Sequence, residues 1–174
     1  MQKNTEKFDF ESYDFKRSIL LCGATGTGKT YKATALLQQF VNTKEERNKL
    51  DTYCITDWYF KQMIKSNMII LRRPDEWQSP ITLYPLELML RCQILLYDDI
   101  GVSDTSEAYL RDLTFVLDER IKRGLVTIYT TNLTRDELKK KLNERIVSRM
   151  LYNTDVVVFK GEDLRLKTTQ YYDA

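Results

Sequence analysis

The chain has 174 residues, 43% of them hydrophobic and 30% charged, with a formal net charge of +2, three cysteines and no histidine. These values suit one globular domain with a full core, and the absence of imidazole leaves carboxylates as the candidate general bases. No apolar run approaches the length of a membrane span, and the start lacks the apolar core of a signal peptide, so the expectation is a cytoplasmic protein with no membrane partner.

Residues 1–17 are charged and interleaved with Phe8, Phe10, Tyr13 and Phe15. They are too few for a domain, so the predicted organisation is a short N-terminal segment at 1–17 and a single domain over 18–174. The aromatics predict an extended segment packed on the core beside the first strand, where an adenine ring can also rest. Ser18-Ile19-Leu20-Leu21-Cys22 reads as a short buried strand, and 31–40, with Ala33, Leu36, Leu37 and Phe40 at helical spacing, reads as a helix. Between them stands Gly23-Ala24-Thr25-Gly26-Thr27-Gly28-Lys29-Thr30, which matches G-x-x-x-x-G-K-[ST] in the setting that motif requires. The glycines free the backbone to turn successive N–H groups inward around the β- and γ-phosphates. Lys29 adds a point charge, and Thr30 offers a hydroxyl to Mg²⁺ at a helix N-terminus whose dipole favours phosphate. Gly23, Ala24, Thr25, Gly26, Thr27, Gly28, Lys29 and Thr30, with Tyr31 directly after them, are the candidate nucleotide-binding residues. Gly26-Thr27-Gly28 lacks the third glycine of a dinucleotide fingerprint.

A polar connection over 42–51 leads to a predicted strand at 52–56, and Asp57 is placed to cap a helix running through Lys65 that carries Trp58, Tyr59, Met63 and Ile64. From 67 to 85 the prolines Pro74, Pro80 and Pro85 break any long helix. Arg72, Arg73 and Trp77 in that stretch combine charge for phosphates with a ring for stacking, as single-stranded nucleic acid sites do; plain packing of the aromatic is the other reading. Cys22, Cys54 and Cys92 are far apart and form no C-x-x-C pair, so they are expected to be small buried hydrophobes in a reducing compartment.

Ile94-Leu95-Leu96-Tyr97 is a continuous apolar strand ending in Asp98-Asp99-Ile100-Gly101, the pattern of a Walker B element. Its first carboxylate supports Mg²⁺ and its second orients or deprotonates the attacking water. An amphipathic helix is predicted over 104–123, with Leu110, Leu113, Leu117 and Ile121 on one face, Asp104 and Glu107 as a capping box, and Gly124 as its stop. The strand Val126-Thr127-Ile128-Tyr129 follows and leads into Thr130-Thr131-Asn132, where a polar residue beside the Walker B tip can reach the γ-phosphate or the water. Thr134 with Glu137 opens a helix predicted to continue to about Leu151, which brings Arg145 and Arg149 close to the stripe of Leu138. Arginines on an apolar face call for an anion, either carboxylate or phosphate, at an interface. Val156-Val157-Val158-Phe159 reads as the fifth strand. Residues 87–119 carry eight acidic and two basic side chains, and 120–149 carry nine basic and three acidic, so −6 stands beside +6. Solvated helix faces, complementary surfaces of a head-to-tail assembly, or a basic track for nucleic acid all accommodate this division.

Together the glycine loop, Leu96-Tyr97-Asp98-Asp99-Ile100-Gly101, Thr131-Asn132, Glu144-Arg145-Ile146-Val147-Ser148-Arg149-Met150 and the stretch from Phe159 to Arg165 resemble the AAA+ ATPase module of bacterial helicase loaders and transposition helper ATPases, the DnaC, DnaI and IstB type, over about residues 8–168. The resemblance implies an α/β P-loop NTPase fold of the AAA+/ASCE kind, with a parallel five-stranded sheet in the order 5-1-4-3-2 flanked by helices. With only 25 residues after Arg149, no C-terminal helical lid is expected. It implies ATP and Mg²⁺ as cofactors, Lys29, Asp98, Asp99 and Asn132 as catalytic residues, and Asn132 as the sensor 1 residue. Thr30 and Asp98 are then the metal side chains. Arg149 is similar to the arginine finger that reaches a neighbouring subunit's ATP, with Arg145 as the other candidate, and Arg165 is similar to sensor 2. The stretch from Trp58 to about Pro85 lies where family members carry an insertion that contacts single-stranded DNA. The implied partners are a replicative helicase or another replication or transposition protein, single-stranded DNA, and further copies of the chain in an ATP-dependent homo-oligomer. The expected activity is slow ATP hydrolysis, stimulated by assembly or DNA, in a DNA-replication accessory role. A transposition helper, a nucleotide-gated module inhibiting a host loader, and a P-loop small-molecule kinase are the alternatives.

Overall fold

The computed structural model describes residues 7–45, 51–65 and 85–164. In chain order the elements are β1 (Ser18–Gly23), α1 (Lys29–Asn42), β2 (Thr52–Thr56), α2 (Asp57–Lys65), α3 (Pro85–Arg91), β3 (Ile94–Asp98), α4 (Glu107–Lys122), β4 (Val126–Thr131), α5 (Arg135–Leu142), α6 (Glu144–Met150) and β5 (Thr154–Phe159). All strand pairs are parallel and the order is β2-β3-β4-β1-β5. Read from the other edge, this is the predicted 5-1-4-3-2.

Parallel strands need crossovers on the sheet faces, so both faces are covered and the central strands read as continuous apolar runs. β3 and β4 are buried along their whole length. On one face Ala33, Leu36 and Phe40 of α1 pack on Ile19, Leu21, Ile94, Leu96, Val126 and Ile128. The predicted aromatic segment closes this layer, with Tyr13 buried, Phe15 edge-on to Phe40 and Phe10 against Phe159. On the other face Phe60 and Met63 of α2, Met89 of α3, Leu113 and Val116 of α4, and Ile146 and Val147 of α6 cover Leu20, Ile55, Leu95, Tyr97 and Tyr129. No helical lid follows β5 among the described residues.

Several local expectations are corrected. Helix α4 begins at Glu107, with Ser106 as its cap accepting from the Tyr109 N–H, so Asp104 lies outside it. Its buried stripe runs through Val116 and Arg120, and Ile121 is only half-buried. The single helix predicted to run to Leu151 is two, because Asn143 takes φ +68° and caps α6 through the Ile146 N–H. That break resets the helical phase: Ile146, Val147 and Met150 face the core, while Arg145 is exposed and Arg149 half-buried. Asp57 is buried in the core rather than capping α2 at the surface, and Tyr59 N–H bonds to Thr56 Oγ1 instead. Cys92 is buried as expected, Cys22 is half-buried, and Cys54 on the edge strand is exposed. Pro85, read as a breaker, starts α3, where its missing N–H costs no helical bond. Arg72, Arg73 and Trp77 lie outside the described residues.

Candidate functional site: a phosphate loop facing a carboxylate turn

The glycine loop leaves the C-terminal end of β1, between β4 and β5, where the chain order reverses across the sheet and a crevice opens. Gly23 is required by a close backbone approach and Gly26 by its left-handed backbone, φ +76°. A Cβ at Gly23 would lie 2.2 Å from the Phe159 carbonyl oxygen, and one at Gly26 would lie 1.8 Å from Asp163 Oδ1; both residues have positive φ. Lys29 is buried, and its Nζ donates to the carbonyls of Gly23 at 2.9 Å and Ala24 at 2.7 Å. Thr27 Oγ1 ties to Ala24 O at 2.8 Å. The loop is thus held by its own side chains, with α1 starting at Lys29 so that its dipole points into the loop.

Asp98 ends β3 and is largely buried. Thr30 Oγ1 donates to Asp98 Oδ1 at 3.0 Å, which joins the two motifs directly. Thr130, at the tip of β4, donates from its own hydroxyl to the same oxygen at 2.6 Å and accepts the Asp99 N–H at 2.8 Å. The Ile100 N–H bonds to Thr130 O at 2.9 Å, and Thr131 Oγ1 donates to Ile100 O at 2.9 Å. Asp99 itself has φ +57°, a left-handed backbone that costs a non-glycine residue about 1–2 kcal/mol. The β4 contacts hold the turn in that conformation. Thr130, named in the sequence only as part of the Thr130-Thr131-Asn132 tip and given no role there, is the residue that fixes the turn; its signal is a hydroxyl one residue past the Tyr97–Tyr129 register pair.

These elements border a cleft of about 420 Å³. Thr25, Gly26, Gly28, Lys29, Thr30 and Tyr31 line it from the loop side, Asp99 and Asn132 from the strand tips, and Leu164 from the segment after β5. That segment is fastened across the loop by the Leu164 N–H on Gly26 O at 2.9 Å. Tyr31 projects into the open, 81% exposed. Arg149 is not among the lining residues. Its Nε pairs with Asp118 of α4 at 2.5 Å, and its Nη1 bonds to Arg145 O. Arg165 lies outside the described residues.

The oxygen pair of Thr30 and Asp98 fits Mg²⁺, a hard cation that takes one or two protein oxygens and completes its shell with phosphates and water. No cluster of three or more His, Cys, Asp or Glu side chains able to hold a metal ion occurs among the described residues, so an ion here depends on ligands that a bound phosphate brings.

A comparison with curated proteins gives no match. Among solved structures, the DnaC helicase loader superposes with a TM-score of 0.65 at 22% identity, covering 88% of this chain and 82% of that one. DnaI gives 0.66 at 18% identity, covering 88% and 77%. AMPPCP-bound DnaA from Aquifex aeolicus gives 0.66 at 15% identity, and there this chain spans 43% of the longer protein. At such identities the likeness is one of fold, the AAA+ P-loop NTPase fold. The family model for IstB-like ATP binding proteins matches residues 6–171, and the chain belongs to that family.

Proposed function

We propose that this protein is an ATP-dependent DNA-replication accessory protein of the helicase-loader kind, a single ATPase domain acting in the cytoplasm, which binds ATP with Mg²⁺ and hydrolyses it slowly in a head-to-tail oligomer. The observation that carries the reading is the 3.0 Å bond from Thr30 Oγ1 to Asp98 Oδ1, which brings a phosphate loop and a carboxylate turn to one cleft that Asp99 and Asn132 also border. In this reading the loop N–H groups and Lys29 bind the phosphates, and Thr30 and Asp98 hold Mg²⁺. The ion, when bound, neutralises charge on the β- and γ-phosphates. Asp99, with no histidine in the chain to compete for the role, accepts the proton of the attacking water, and Asn132 orients that water. Tyr31 and Leu164 flank the nucleotide's outer part, and Arg165 adds a charge from the segment beyond Leu164.

Arg149 completes the site of an adjoining copy. Its pairing with Asp118, away from its own cleft, supports action in trans. Supplying such an arginine raises phosphoryl-transfer rates by about 10³–10⁵, so a lone subunit turns over slowly. Single-stranded DNA is the proposed ligand of α2, where Trp58 and Tyr59 are exposed with Lys65 on the same short helix. A replicative helicase or another replication or transposition protein is the proposed protein partner.

The test is calorimetry with ATP and Mg²⁺, followed by phosphate release from mixtures of Arg149→Ala and Asp99→Asn subunits. Each variant alone is inactive, and mixing restores activity because one good site forms at the mixed interface. No nucleotide binding overturns the whole reading, and binding without rescue overturns the trans role of Arg149.

A further inference from the structure

Asp57 is 1% exposed and belongs to neither nucleotide motif. Its charge is met by donors rather than by a cation among the described residues. Oδ1 accepts from Tyr97 OH at 3.1 Å and from Tyr109 OH, and Oδ2 accepts the Ser103 N–H at 2.8 Å. Both tyrosines are fully buried, and Phe60 packs edge-on against each ring, at 5.8 and 5.7 Å. Burial, reinforced by the Asp57 carboxylate, pushes both phenols above their ordinary pKa, so they remain donors.

The partners' positions give the cluster its meaning. Tyr97 immediately precedes Asp98, and Ser103 follows Asp99 by four residues, so one carboxylate grips both flanks of the stretch that carries the two Walker B acids. A purely structural acid would have no reason to bind that stretch at both ends, with the turn closed between them by the Val102 N–H on Asp99 O at 3.2 Å. Thr130 restrains the same stretch from the β4 side, and Asp57 restrains it from the β2 side. Burying an uncompensated carboxylate is costly, and its three donors offset that cost only while the turn stays in place.

We infer that Asp57 is a positioning residue for the Asp98–Asp99 turn: by holding Tyr97 OH and the Ser103 N–H at once, it sets where Asp99 stands at the cleft. This rests on the reading of Asp99 as the group that activates water. Asp57 is also the first residue of α2, so the turn and the root of the helix bearing Trp58 and Tyr59 form one restrained unit.

Amide hydrogen exchange on the full-length protein, in the wild type and Asp57→Asn, tests this with a readout that needs no turnover. The asparagine keeps the shape, but its amide nitrogen donates where a carboxylate oxygen accepted, so it cannot accept from the two phenols and the Ser103 N–H at once, and amides over residues 99–103 exchange about fivefold faster while those of β1 and β4 keep their rates. In the same variant kcat falls at least about tenfold while the dissociation constant for ATP with Mg²⁺ stays within about twofold, the split that marks an effect on the transition state alone. Asp57→Ala, if it folds, enlarges both effects. Unchanged exchange over 99–103, equal acceleration throughout the sheet, or loosened exchange with kcat intact each overturns the inference. A wild type that binds ATP and never releases phosphate, even when assembled, overturns the assignment of Asp99 instead, and the exchange pattern still decides whether Asp57 fixes the turn.

Discussion

Thr130→Val is the sharpest perturbation of the carboxylate turn, because valine matches threonine in shape and removes only the hydroxyl. That hydroxyl donates to Asp98 Oδ1 at 2.6 Å and accepts the Asp99 N–H at 2.8 Å. A hydrogen bond to a charged group contributes about 1.5–3 kcal/mol, and a donor left without an acceptor costs about 1–3 kcal/mol. The two contacts share one atom and do not add fully, so the expected loss is about 2–4 kcal/mol. At about 2–4 °C per kcal/mol for a domain of this size, the melting temperature falls by about 4–16 °C. Thr130→Ser keeps both bonds and loses a methyl group, at about 1 kcal/mol. Differential scanning fluorimetry with and without ATP and Mg²⁺ makes the comparison, and the valine variant also loses most of its turnover because Asp99 is no longer held at φ +57°. If Thr130→Val melts within about 2 °C of Thr130→Ser and hydrolyses ATP as fast, the bridge restrains nothing and this account of the turn is wrong.

Further outcomes follow from space and charge. Gly23→Ala puts a Cβ 2.2 Å from the Phe159 carbonyl, a backbone atom of β5 that cannot yield without disturbing the β1–β5 register. Strain and overpacking together cost about 2–5 kcal/mol, whereas Gly124→Ala, with positive φ but nothing within 4 Å, costs about 1–2 kcal/mol; urea midpoints of the two variants compare them directly. Arg120→Met leaves Met89 O, Cys92 O, Val126 O and Thr127 Oγ1 without the guanidinium that joins α4 to α3 and β4. Breaking such a buried network costs about 3–5 kcal/mol, read as a lowered urea midpoint with an unchanged m value. Alkali destabilises the fold in a defined window. Burial pushes Tyr129 up to about 12 and raises Tyr13, Tyr97 and Tyr109 as well, from an ordinary value of 10.0. The folded phenols keep protons that the unfolded chain gives up, so their contribution to stability is constant below about pH 10 and falls above it as the unfolded tyrosines ionise, while Cys22, Cys54 and Cys92, raised by burial from 9.0, start the same loss about one pH unit lower. A melting temperature that holds constant to about pH 11 contradicts this.

The nucleotide motifs were legible because they are local signals, and the sheet order came only with the family resemblance that those motifs carry. A loop of fixed spacing between an apolar strand and an amphipathic helix constrains the backbone strongly, and Asp98-Asp99 at a strand end can meet it only at the carboxyl edge of a parallel sheet. The residues that sequence reasoning misplaced are those whose role depends on distant partners. Arg120 entered the sequence reading only as one charge of the basic stretch 120–149, yet it is 1% exposed because carbonyls of α3 and β4 converge on it. Asp57 had the local pattern of a helix cap, and its partners lie 40, 46 and 52 residues away. Asn143 broke a helix that periodicity extended, since Leu142 and Ile146 keep an apolar spacing of four across the break. Periodicity reports which face is apolar; it is blind to a single left-handed residue that shifts the phase.

That phase shift bears on the proposed action of Arg149 in trans. Had the helix continued unbroken, Arg145 and Arg149 would have followed Leu138 into the core and been unavailable to any neighbour. With Asn143 capping a new helix, Ile146, Val147 and Met150 take the core face, and Arg149 emerges at its edge, half-buried against Asp118. Such a pair, partly open to solvent, is worth only about 0–1 kcal/mol. It orients the guanidinium without committing it. A triphosphate carries more negative charge than a carboxylate and accepts in the same bidentate geometry, so the partner exchange that assembly in trans requires is uphill by no more than that small amount. The same weakness means that Asp118→Asn leaves the fold intact and changes turnover only in concentrated, assembled protein, which a titration of specific activity against protein concentration reads directly.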